Sequence, residues 1–109
     1  MTPFPYEKCI RDGKVAVLYS PGFGAGWSTW ADDDIRDFVL FDRRLVECLE
    51  AGGDVAALTG TILDGIYMYT GGARNLTIHW LPVGARFIVN EYDGSESIQE
   101  QSGDYWREA

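Results

Sequence analysis

The sequence predicts an α+β domain, a small antiparallel sheet (hairpin or meander) with two or three short helices packed on it, and three observations carry that reading. The apolar run Lys14–Tyr19 ends in turn residues, as a strand does. Apolar residues at helical spacing follow in the middle of the chain, and alternating segments with tight turn signals fill the C-terminal part. A doubly wound parallel sheet needs more strand–helix–strand units than this order supplies. With 109 residues the chain is read as one domain spanning 1–109.

Along the chain, residues 1–5 hold two prolines and read as an entry arm, with a possible short strand at Tyr6–Ile10 and a turn at Asp12-Gly13 before Lys14–Tyr19. Asp32, Asp33 and Asp34 supply cap candidates and early negative charge for a helix whose apolar residues are Ile35, Phe38, Val39 and Phe41. Asp42 is placed to cap a second helix, Arg43 to Ala51, stopped by Gly52-Gly53. Asp54 to Leu63 reads as a third, weakened by Gly60 and two threonines. Gly65 to Arg74 reads as an ordered loop. Leu76–Leu81 alternates like a half-buried strand, Pro82–Ala85 turns it into Arg86–Tyr92 as a hairpin, and Asp93-Gly94 leads to a third strand, Ser95–Gln101. Residues 102–109 form a possible flexible tail in which Tyr105 and Trp106 are the apolar exceptions.

Composition narrows the function. The 46% hydrophobic content excludes disorder over most of the chain, and the 14% aromatic content leaves rings to spare for a surface or pocket. Nine basic against 17 acidic residues give a net charge of −8, which argues against a nucleic acid polymer as partner. A small anionic ligand stays compatible, because a pocket needs only an arginine or two and some backbone N–H groups. No apolar run reaches the roughly 20 residues of a membrane span, and residues 1–14 lack signal-peptide features, so a cytoplasmic protein is expected with no membrane partner. Cys9, Cys48 and the single histidine, His79, do not make a zinc set, and the cysteines read as reduced structural thiols.

The most suggestive segment is Ser20–Trp30. Its glycines Gly22, Gly24 and Gly26 permit close backbone approach, and Phe23, Trp27, Ser28, Thr29 and Trp30 add aromatic faces and hydroxyls. The spacing is G-x-G-x-G, which meets neither the dinucleotide fingerprint nor the P-loop pattern. An alternative is that these glycines make a tight strand-to-helix connection with both tryptophans in the core. A second loop, Tyr69, Thr70, Gly71, Gly72 and Arg74, has the composition of an anion-binding nest with a phosphate-binding arginine. Asp93 and Ser95 in the next turn are candidates for ribose hydroxyls, and the calcium-loop pattern is not met there. Asp32, Asp33, Asp34 and Asp37 are read as cap residues rather than metal ligands. No nucleophile, base and orienting group can be assembled, so the expectation is a non-enzymatic binding protein without cofactor or metal.

The motifs Ser-Pro-Gly-Phe-Gly-Ala-Gly-Trp-Ser-Thr-Trp, Leu40-Phe41-Asp42, Tyr69-Thr70-Gly71-Gly72-Ala73 and Glu91–Ser97 together resemble those of small phage and prophage proteins, over roughly residues 14–98. By analogy this resemblance implies one of two roles in the host cytoplasm. One is a sponge that sequesters a cyclic nucleotide or cyclic ADP-ribose immune signal, as a homo-oligomer with a deep, preformed pocket. The other is an acidic inhibitor of a host defence protein, with an exposed aromatic patch as the interface hot spot.

Overall fold

The computed structural model describes residues 3–100 and 107–109 and shows an α+β fold. Strands β1 (Ile10–Arg11), β2 (Lys14–Tyr19) and β3 (Thr77–Pro82) form one antiparallel sheet in the order β1-β2-β3. A second antiparallel sheet has the order β5-β4-β6, from β4 (Arg86–Tyr92), β5 (Ser95–Glu100) and β6 (Arg107–Glu108). Three helices lie between β2 and β3 in sequence: α1 (Asp33–Phe41), α2 (Arg43–Glu50) and α3 (Val55–Leu63).

Strand β2 explains the layering. Its central residues Val15, Ala16, Val17 and Leu18 are all fully buried, because both of its faces are covered. Ala16 and Leu18 point into a cluster with Ile35, Phe38 and Val39 of α1 and Leu45 and Val46 of α2. Val15 and Val17 point the other way, into a cluster with Leu81, Phe87, Val89 and Ile98. The first sheet therefore lies between the helices and the second sheet.

Local chemistry sets the helix boundaries. The Asp42 carboxylate accepts from the Arg44 N–H at 2.9 Å and starts α2; Asp54 accepts from the Ala57 N–H at 3.0 Å and starts α3. Asp42 is itself buried and holds the Arg44 guanidinium, so one residue ends α1 through its backbone N–H to Phe38 O and, through its side chain, opens α2 and neutralises a neighbour. Asp64, with φ of 45°, ends α3 in the left-handed region.

The expected hairpin between Leu76–Leu81 and Arg86–Tyr92 does not form. β3 pairs along its whole length with β2, and the Val83 N–H continues that ladder to Gly13 O at 2.9 Å. Past Val83 the chain changes sheets: Gly84 N–H donates to Ala109 O and Ala109 N–H to Ala85 O. Partner choice decides the point: pairing β3 with β2 satisfies the open edge of the most apolar strand, and placing β4 in a second sheet lets Phe87 and Val89 cover its Val15–Val17 face. The β4–β5 hairpin forms as expected, from Phe87↔Glu100 to Tyr92↔Ser95. Of the expected tail, 102–106 lie outside the described residues; Arg107 pairs with Phe87, and Ala109 is buried.

Phe87 is fully buried and meets the Phe41 ring edge-on at 6.0 Å, joining the second sheet to α1. Phe87→Ala is expected to lower the unfolding free energy by about 3–5 kcal/mol, measured by urea denaturation.

Candidate functional site

The three loops singled out from sequence do come together, and a buried carboxylate organises them. Glu96, on β5, is 1% exposed. Its Oε1 accepts from the Ser20 N–H at 2.9 Å, and its Oε2 accepts from the Trp27 N–H at 2.7 Å, the Thr29 N–H at 3.0 Å and the Thr29 hydroxyl at 2.6 Å. The Glu96 N–H donates in turn to Ser20 O at 2.7 Å. The Gly22–Gly26 segment thus wraps a charge supplied from the second sheet, and four donors offset the cost of removing that charge from water.

Two glycines of the neighbouring turns serve backbone packing. A Cβ on Gly72 would collide with the Gly26 carbonyl, and one on Gly94 would collide with the backbone at Gly24 and Ala25. The 3-10 turn Gly71–Asn75 and the Asp93-Gly94 turn are pressed against the first loop in this way. Gly24 N–H donates to Asp93 O at 2.9 Å, and the Ser95 hydroxyl donates to Pro21 O at 2.7 Å. Ser95 is therefore engaged within the protein rather than turned toward a ribose.

The aromatic residues divide. Trp27 is 0% exposed and its indole N–H donates to Val39 O at 2.7 Å, which corrects the expectation that it stacks on a ligand: it is a core anchor between the loop and α1. Ser28 is likewise buried, and Thr29 is taken up by Glu96. Phe23, by contrast, is 71% exposed, and Trp30 is 42% exposed with its ring against Tyr69 at 5.8 Å. Tyr67 and Ile66 add further exposed apolar surface beside Tyr69. Arg36 locks the base of Trp30, donating to Ser28 O at 3.0 Å, to Ala31 O at 2.5 Å and to Asp33 at 2.6 Å.

Thr70, Gly71 and Arg74 line a different place, an open cleft of about 430 Å³ completed by Gly53, Asp54, Val55, Ala56 and Ala73. That cleft faces the N-terminus of α3, where the Asp54 carboxylate already caps the helix. Among the described residues, no three side chains converge as metal ligands. Asp33 and Asp37 are instead paired with Arg36 and Arg107.

Sequence reasoning missed Glu96 as the organising residue. The signal available was its period-two alignment with Ile98 on the inward face of β5. Ile66 was also missed, since it sits in a segment without regular structure.

The fold and site define an α+β domain with a tightly braced aromatic loop assembly. No family model matches the chain, and neither a curated protein nor a solved structure does so.

Glu96→Ala strips the acceptor from three backbone N–H groups and should cost about 3 kcal/mol or more in urea denaturation, at roughly 1–3 kcal/mol per buried unsatisfied group. Gly72→Ala should also destabilise the protein, because backbone rather than a flexible side chain stands in the way.

Proposed function

We propose that this is a protein-binding module, which uses a braced aromatic surface on an acidic domain to inhibit a host defence protein in the cytoplasm. The observation that supports it is the exposure of Phe23 and Trp30 on a loop whose backbone is fixed from inside by Glu96. Aromatic side chains held in place before binding give contact area without a large ordering cost, the character of interface hot spots. Asp32 lies two residues past Trp30, Asp64 precedes Ile66, and Asp93 lies in the turn against Gly24; all three are exposed. With a net charge of −8, that arrangement favours a basic partner surface and steers its approach.

A second reading, sequestration of a cyclic nucleotide or cyclic ADP-ribose signal by a homo-oligomer, is supported by the cleft holding Thr70, Gly71 and Arg74. It is the weaker of the two, because the Asp54 carboxylate lies where an anion would be drawn and Trp27 is not free to stack.

Thermal unfolding against mononucleotides, cyclic dinucleotides and cyclic ADP-ribose isomers separates these readings. A bound ligand at about 100 times its Kd adds roughly 2.7 kcal/mol. No shift is expected; a selective shift abolished by Arg74→Ala would transfer the conclusion to the second reading. For the protein-binding reading, crosslinked complexes in host lysate should weaken on Trp30→Ala or Phe23→Ala and with added salt, while exposed Val83→Ser leaves them unchanged. Complexes insensitive to both aromatic substitutions would overturn it.

A further inference from the structure

We infer that the outer edge of β3 pairs with the same edge of a second copy, joining two three-stranded sheets into one of six strands. The direction of the backbone groups carries the inference. Ala16 N–H donates to Cys9 O, so the even residues of β2 face β1 and its odd residues face β3. In the β2–β3 register Val15 opposes Leu81, Val17 opposes His79 and Tyr19 opposes Thr77, and those β3 residues make the ladder. Ile78, Trp80 and Pro82 therefore turn their backbone groups outward, and among the described residues nothing bonds the N–H or C=O of Ile78 or Trp80.

The edge is short and matches itself. Pro82 has no N–H to offer, and the Leu76 N–H is already given to Ala73 O, so the free ladder is Ile78 and Trp80 alone. A two-fold axis through His79 sets Ile78 of each copy opposite Trp80 of the other. Each such pair exchanges two hydrogen bonds, four in all, with His79 facing His79 at the axis.

Charge favours a second copy at this edge. Thr77–Pro82 contains no carboxylate, so two chains of net charge −8 can pair here without setting carboxylates of the paired strands against each other. It also lacks the charged side chains that commonly guard an exposed edge. The other long edge, β5, differs: its Glu96 N–H is taken by Ser20 O, and Glu100 lies at its end. This pairing stands independently of the aromatic surface, and either reading of the function tolerates it.

Sedimentation equilibrium of the full chain, from micromolar to submillimolar concentration, tests the inference together with amide hydrogen exchange. The mass should rise toward twice 12.2 kDa, and the Ile78 and Trp80 amides should slow in step, while the ladder-bonded His79 and Leu81 amides stay unchanged. His79→Lys places like charges face to face across the axis and should weaken the dimer about fivefold or more, with the far-ultraviolet spectrum preserved. A mass of 12.2 kDa at every concentration overturns the inference. So does a dimer whose Ile78 and Trp80 amides exchange as fast as in dilute solution, or one indifferent to His79→Lys.

Discussion

The rest of the structure depends on the hydrogen bonds around the Glu96 carboxylate. A carboxylate this deeply buried is tolerated only when donors replace its water, and here they come from Ser20, Trp27 and Thr29, the two ends of the glycine segment. The same residue ties the first sheet to the second through its own N–H and Ser20 O. The loop's path is thus fixed by the electrostatic need of a residue that lies 69 positions beyond Trp27 in sequence. Once that path is set, Trp27 falls into the core beside Val39, and Phe23 and Trp30 are left outside.

The glycines follow from this wrapping. The loop held around the carboxylate leaves its backbone close against the neighbouring turns, which can press on it only where they carry no side chain. Gly72 against Gly26 and Gly94 against Gly24 and Ala25 are those contacts. Three motifs that look like separate ligand loops in sequence are parts of one backbone-packed assembly. Much of the hydroxyl and N–H chemistry that made them resemble a nucleotide site is used up inside it.

How much could be read from the sequence depends on the range of the interaction that decides each feature. Helices α2 and α3 are legible because their caps, Asp42 and Asp54, act two or three residues away. The double burial of β2 shows in its unbroken apolar run. The division of β3 and β4 between two sheets does not show, since Pro82–Ala85 has the composition of a hairpin turn and only competition for β2 decides otherwise. The site divides similarly. That Ser20–Trp30 matters is local and legible, whereas which tryptophan is buried depends on Val39 and Glu96, and no short-range pattern distinguishes Trp27 from Trp30.

Acidic residues are numerous here, but many are committed. Asp42 and Asp54 cap helices, Glu96 braces the loop, and Asp33, Asp37 and Glu50 hold arginines. Arg11 donates both terminal nitrogens to Glu50, at 2.7 and 2.8 Å, and holds its carboxyl below the usual range. The carboxylates paired with arginines contribute little to the field at a distance. Asp32, Asp64 and Asp93 are exposed beside the aromatic loops, so the remaining negative potential there is set next to the rings that are free to make contact. On the protein-binding reading, a basic surface drawn toward that side meets Trp30, set against Tyr69, and Phe23 on the braced loop, so the charge acts on the approach and the rings on the duration of contact.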